Sequence, residues 1–177
     1  TNTWDIDIPA MTAVIDGLTR IIFLASPNNP TGNLLKESDA RALLDTGVVL
    51  CVDETYYEFS GNTLSHLLDD YENLVILRSF SKWAGIAGLR VGYAIGSATL
   101  ISHLMDIKQP YNINIAGEAA VLAALEHRSE LLTRTRSLVE QRKKLEAVIN
   151  DLDGVSYFPS EGNFLLCKFE HKTAEEA

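Results

Sequence analysis

Val48-Val49-Leu50-Cys51-Val52-Asp53-Glu54-Thr55-Tyr56-Tyr57 joins five consecutive apolar residues to two carboxylates and, after a threonine, two phenols. A run this short, rich in valine and apolar without a break, reads as a strand buried on both faces, as in the interior of a parallel sheet. It begins after Gly47 and stops at Asp53. An acid at the end of a buried strand is costly unless it is paired. Asp53 therefore either meets a positive partner or caps a following helix.

Upstream, Ile21 to Ala25 is a second short apolar run, and Ser26-Pro27-Asn28-Asn29-Pro30-Thr31-Gly32 follows it. Prolines, asparagines and a glycine in such density cannot continue a strand, so the chain turns sharply at the strand's carboxyl end. Downstream, Asn73 to Ser79 and Val91 to Ile95 read as further strands. Ile8 to Leu18 reads as a short helix with Pro9 early and Gly17 near its end. Lys36 to Asp45 reads as another, leading to Gly47. Strands alternating with helices argue for a parallel α/β sheet. Ligands bind at the carboxyl ends of strands in such sheets, where all three polar turns fall.

The third turn is Leu77-Arg78-Ser79-Phe80-Ser81-Lys82, followed by Gly88-Leu89-Arg90-Val91-Gly92-Tyr93. It supplies an amine, two hydroxyls and a guanidinium, a set suited to holding a phosphorylated aldehyde covalently, which describes pyridoxal phosphate. A lysine kept near neutral by burial or by neighbouring positive charge forms a Schiff base with a carbonyl. Arg90 would face the phosphate as a planar fork, with Ser79 and Ser81 as further donors. The Asn29 amide and the Tyr56 phenol would reach the oxygen on the cofactor ring. Asp53 would pair with the protonated pyridine nitrogen and keep the ring an electron sink. Each segment alone also has a local reading, as a surface turn, a helix cap or a strand exit.

In the order Asn-Pro-Thr-Gly, Asp-x-x-Tyr and Ser-x-Ser-Lys with its later arginine, the chain resembles the fold type I pyridoxal-phosphate aminotransferases, the aspartate aminotransferase superfamily. Ser26 to Gly32, Lys108-Gln109-Pro110-Tyr111-Asn112-Ile113-Asn114 and Pro159-Ser160-Glu161-Gly162-Asn163-Phe164 resemble the histidinol-phosphate aminotransferase branch. The resemblance implies Lys82 as the Schiff-base lysine and proton shuttle. It implies Asp53 on the pyridine nitrogen, Asn29 and Tyr56 on the ring oxygen, and Ser79, Ser81 and Arg90 on the phosphate. Asn163 would approach the substrate carboxylate. The implied fold is α/β, the three-layer, mainly parallel sheet of the large domain plus part of a small α+β C-terminal domain. The implied assembly is a homodimer with the site across its interface.

Beyond Ser97 the pattern changes. Ala98 to Ile107 and Ile115 to Glu126 read as helices separated by Pro110. Ser129 to Leu152 reads as one long helix whose outer face carries Arg134, Arg136, Glu140, Arg142, Lys143, Lys144 and Glu146, a solvated charge run. After Gly154, Val155 to Phe158 and Phe164 to Phe169 read as strands. A boundary near residue 128 divides 1–128, part of the large domain, from 129–177, the connecting helix and the start of the small domain.

At 177 residues and 46% hydrophobic, the chain can bury a real core. Its net charge of −9 argues against nucleic acid, which wants clustered Lys and Arg. No run approaches the roughly 18 apolar residues of a membrane span, and no signal peptide opens the chain, so a soluble, cytoplasmic protein is expected. Cys51 and Cys167 lack CxxC spacing and are expected as buried, reduced thiols, and the four scattered histidines form no metal pattern.

Enzymes of the resembled family are longer. The resemblance implies that the amino-terminal phosphate-binding turn and the arginine for the substrate α-carboxylate lie outside this sequence, and that Lys172 to Ala177 falls within a helix of the small domain. The chain is therefore expected to be a fragment, inactive alone. Amino-group transfer is the leading activity. Phosphothreonine decarboxylation within the same family is the alternative, and a cofactor-binding regulatory module is a third.

Overall fold

The computed structural model describes residues 4–173, 175 and 176. Its centre is a four-stranded sheet in the order β1 (Ile21–Ala25), β2 (Val49–Asp53), β3 (Leu74–Ser79) and β4 (Gly92–Gly96). The first three strands are parallel, with Ala25 beside Asp53 and Asp53 beside Leu77, so their carboxyl ends share one edge. β4 runs antiparallel to β3, as a mainly parallel sheet allows at an edge. The reason is the connection: between Ser79 and Gly92 the chain forms only the short 3₁₀ turn Ala87–Leu89. A parallel return requires a crossover, usually a helix. The sheet is thus mixed at one edge and mainly parallel overall.

The two faces of the sheet are covered unequally. Ile22, Leu50, Val52, Leu74 and Ile76 bury one face against Ala40, Leu43 and Leu44 of α2 (Glu37–Leu44), Leu67 of the 3₁₀ turn Ser65–Asp69, and Leu35 and Leu64. α1 (Ile8–Ala13) adds Ile8 and Met11. The opposite face presents Ile21, Phe23, Val49, Cys51, Val75 and Leu77 toward α4 (Ala98–Ile107) across an apolar groove. α4 does not reach over β1, where Phe23 remains 69% exposed.

α1 stops at Ala13, short of the expected Leu18. Its start is as expected, with Asp7 accepting from the Ala10 amide at 3.0 Å and Pro9 in the first turn. Beyond it, the Asp16 carboxylate accepts the amides of Leu18 and Thr19 at 2.9 and 3.0 Å, a local turn that competes with helix. α3 (Tyr57–Ser60) follows β2 directly. α5 (Ile115–Glu126) is capped by Asn114, whose Oδ1 accepts from Gly117 N at 2.7 Å. α6 (Arg128–Asn150) follows after His127. β5 (Val155–Phe158) and β6 (Leu166–Phe169) form a separate antiparallel pair, the latter starting two residues later than expected. The expected terminal helix falls on 172–177, where Ala174 and Ala177 lie outside the described residues; Thr173 N donates to Glu176 Oε2 at 3.0 Å in a turn.

α6 corrects one expectation about its charges. Arg142 is not on the solvated face. It is buried, donating to the Gly162 carbonyl and, at 3.1 Å, to Glu146. A helix residue whose long side chain caps the carbonyl of a packed turn cannot also face water. Cys51 is buried and its thiol is pushed up by burial, with Asp53 adding negative charge, while Cys167 is half-exposed rather than buried. Among the described residues no helix is long and apolar enough to cross a membrane, and no group of His, Cys, Asp or Glu is placed to hold a metal.

Candidate active site

Three turns leave the carboxyl edge of the parallel strands, and their side chains meet. Asn29, after β1, donates through Nδ2 to Tyr56 Oη, after β2, at 3.0 Å. Lys82, after β3, places Nζ 5.8 Å from the centre of the same Tyr56 ring. Ser79 Oγ donates to Ser81 Oγ at 2.7 Å and accepts from Ser81 N at 3.0 Å, so the two hydroxyls form one donor pair. Residues far apart in sequence reach one place because parallel pairing aligns their strand ends.

Arg90 ends the 3₁₀ turn just ahead of β4, whose first residue, Gly92, pairs with Ser79 at this edge. It adopts the left-handed conformation (φ 58°), and its exposed guanidinium donates to the Ala87 carbonyl at 3.1 Å. A non-glycine residue held there stores backbone strain, which clusters at ligand sites. Asn163 is exposed and lies at a small cleft with Leu138, Arg142 and Phe164. Its neighbour Phe164 packs edge-on against Tyr56 at 5.1 Å between ring centres. That segment is tied to the asparagine turn: Glu161 N donates to the Gly32 carbonyl at 2.8 Å, and Gly32 (φ 80°) leaves no room for a Cβ beside Ser160.

The acid buried at this strand end is not Asp53 but its neighbour. Asp53 is exposed, its Oδ1 accepting the Thr55 amide at 2.9 Å. The buried acid is Glu54, 1% exposed. Arg78 donates to its Oε2 through Nε (3.1 Å) and Nη2 (2.9 Å), and Thr63 Oγ1 and Leu64 N donate to the same carboxylate. Arg78 also lies 3.6 Å from the centre of the Tyr57 ring. Strand alternation held the signal that was missed, because Glu54 is in phase with Leu50 and Val52, and Arg78 with Leu74 and Ile76. Lys82 is likewise exposed.

Glu58, in α3, is a second acid that sequence reasoning passed over. Its Oε2 is buried without a hydrogen-bond partner. Burial, with a smaller contribution from Glu54, pushes its carboxyl up to about 7 against the pull of Arg78 and Arg128. The folded state therefore holds this proton more tightly than the unfolded chain, and stability declines as pH rises from the ordinary value of 4.5 through about 7. Glu58→Gln is expected to raise stability above that window by about 1–2 kcal/mol, below the full linkage value because the carboxyl is partly open to water. Below the window it should change little. Denaturant unfolding across pH checks this, and an equal effect at every pH would refute it.

The donors at this edge match a phosphorylated, aromatic carbonyl compound. An amine stands over an already paired amide and phenol, two hydroxyls form a bonded pair after the same strand as the amine, the Arg90 guanidinium is exposed, and the Asp53 carboxylate is open to a cation. The histidinol-phosphate aminotransferase of Roseiflexus castenholzii is 42% identical over 179 residues, taking in all of this chain and 48% of that protein. The chain spans about half the length of the curated relatives it matches. Among solved structures, the histidinol-phosphate aminotransferase of Clostridium acetobutylicum superposes with a TM-score of 0.89 at 23% identity, covering 99% of this chain and 55% of the other. The L-threonine-O-3-phosphate decarboxylase of Porphyromonas gingivalis gives 0.78 at 27%, covering 93% and 52%. The Sinorhizobium meliloti histidinol-phosphate aminotransferase in complex with pyridoxal-5'-phosphate gives 0.75 at 28%, covering 88% and 43%. The family described as Aminotransferase class I and II matches residues 1–177, the whole span over which the three turns are set, and the chain belongs to that family.

Proposed function

We propose that this chain holds pyridoxal 5'-phosphate and forms part of an enzyme that moves an amino group between an amino acid and a keto substrate, with histidinol phosphate as the substrate named by its relatives and histidine biosynthesis as the setting. One observation carries the reading: three parallel strand ends bring Lys82, the Asn29–Tyr56 pair and Asp53 to one edge. When bound, the cofactor supplies an electron sink that stabilises negative charge at a substrate carbon. Lys82 Nζ is the amine that would hold the cofactor's aldehyde and would serve as the proton carrier. Asn29 Nδ2 and Tyr56 Oη would orient the ring oxygen, and the Asp53 carboxylate would pair with the ring nitrogen and keep it protonated. Ser79, Ser81 and Arg90 bind the phosphate, and Asn163 approaches the substrate carboxylate. The division at residue 128, a cytoplasmic homodimer and freedom from nucleic acid and membrane belong to the same proposal.

The test is spectroscopic. Pyridoxal phosphate added to this chain, or to a protein of the relatives' length that contains it, is expected to give a visible absorbance band, and borohydride is expected to fix its mass on Lys82. Lys82→Ala should abolish both. No band and no added mass in either protein would sink the reading. The likeness to the phosphothreonine decarboxylase favours one second reading, in which the same residues serve loss of carbon dioxide. Measuring carbon dioxide release against amino transfer in the longer protein separates the two.

A further inference from the structure

We propose that the buried Glu54–Arg78 ion pair is a positioning device that sets the directions of Asp53, Tyr56 and Ser79. The inference rests on the cofactor reading above for the role of those three residues, but its geometry stands without it. Each of the three has a member of one buried network as its immediate chain neighbour. Glu54 follows Asp53, Tyr57 follows Tyr56, and Arg78 precedes Ser79. Arg78 joins the network by donating to Glu54 Oε2 and, at 2.8 Å, to Thr63 Oγ1, with its guanidinium over the Tyr57 ring.

Strand geometry turns that adjacency into direction. Successive side chains on a strand point to opposite faces. Holding Glu54 and Arg78 together on one side of β2 and β3 therefore sends Asp53 and Ser79 to the other side. The backbone is aligned at the same step, since Glu54 N donates to the Leu77 carbonyl at 2.8 Å. A buried pair with its remaining hydrogen bonds met is weak evidence of added stability but fixes one arrangement strongly. The Glu54 carboxylate meets that condition, with Thr63 and Leu64 completing its partners. None of the residues in this network need touch the cofactor. Their part is to present the groups that do.

Two hydrogen bonds report the presented groups directly: Thr55 N to Asp53 Oδ1, and Ser81 N to Ser79 Oγ. The experiment measures amide exchange at Thr55 and Ser81 by NMR in the cofactor-free chain, and pyridoxal phosphate affinity by absorbance. Glu54→Gln is the test variant, and Leu67→Ala, a fully buried core change elsewhere, is the control at matched stability. Glu54→Gln is expected to speed exchange at both amides about tenfold or more beyond the control, and to weaken cofactor binding about ten- to a hundredfold, the usual toll of losing an orienting partner. If it does not fold, Thr63→Val removes the hydroxyl shared by both charges without stranding either, and should move both readouts in the same direction by less. Unchanged exchange at Thr55 and Ser81 relative to the control overturns the proposal, whatever the cofactor does. Accelerated exchange in Glu54→Gln, together with a wild-type chain that binds no cofactor, leaves the positioning intact and overturns the functional reading instead.

Discussion

Gly32→Val is expected to destabilise the chain by about 3–5 kcal/mol, combining left-handed strain with overpacking. Gly32 sits at φ 80°, and a Cβ built on it would lie 2.5 Å from Ser160 Cβ and Oγ and 2.6 Å from Ser160 Cα. The Cα is backbone and cannot swing aside, and Ser160 is itself buried. Relief requires the two turns to part, which breaks the bond from Glu161 N to the Gly32 carbonyl. Gly47→Ala separates the two causes. It shares the left-handed conformation, at φ 79°, but its Cβ would meet nothing within 4 Å. Only the conformational cost of about 1–2 kcal/mol applies there. Urea unfolding of both variants checks the argument, and equal losses would show that contact with Ser160 contributes nothing.

Ile76→Ala is expected to cost about 3–4 kcal/mol. Ile76 is fully buried, paired with Val52 on one side and Ile95 on the other, at the centre of the strand that leads to Ser79 and Lys82. Removing its side chain loses transfer free energy and leaves a cavity that strands braced on both sides close poorly. Phe23→Ala is the contrast, since that ring is 69% exposed and has little burial to lose. A cost of less than about 1 kcal/mol is expected for it despite its larger size. If denaturant unfolding ranked Phe23→Ala above Ile76→Ala, the assignment of the core to the α2 side of the sheet would fall.

What the sequence revealed and what it hid differ in range. The strands Val49–Asp53 and Leu74–Ser79 and the helix Ala98–Ile107 follow from local apolar runs and punctuation, and lie within a residue of where the pattern puts them. The meeting of Asn29 with Tyr56 follows from a general property of parallel sheets, so residue types at strand ends were enough to suggest it. The direction of β4 depends on whether a connection folds into a helix, and a glycine-rich stretch left that open. The two buried charged residues were harder. Glu54 meets Arg78 across 24 positions, and Arg142 meets Gly162 across 20, so no local pattern announces either contact. A charge beside a motif reads as part of the motif, and a charge on a charged helix reads as surface. Both readings fail where a distant partner removes the group from water.

β1 carries the Asn29 turn, yet among the described residues it is an edge strand paired with β2 alone, and it leaves Ile21 49% and Phe23 69% exposed. Order at the turn and coverage of that apolar flank are thereby thermodynamically linked. Anything that covers Ile21 and Phe23 holds β1 in register and steadies Asn29 against Tyr56. By reciprocity, a ligand that engages Asn29 favours the covered strand by the same free energy. The sheet edge and the asparagine turn are two ends of one lever, and the strength of one grip sets the strength of the other.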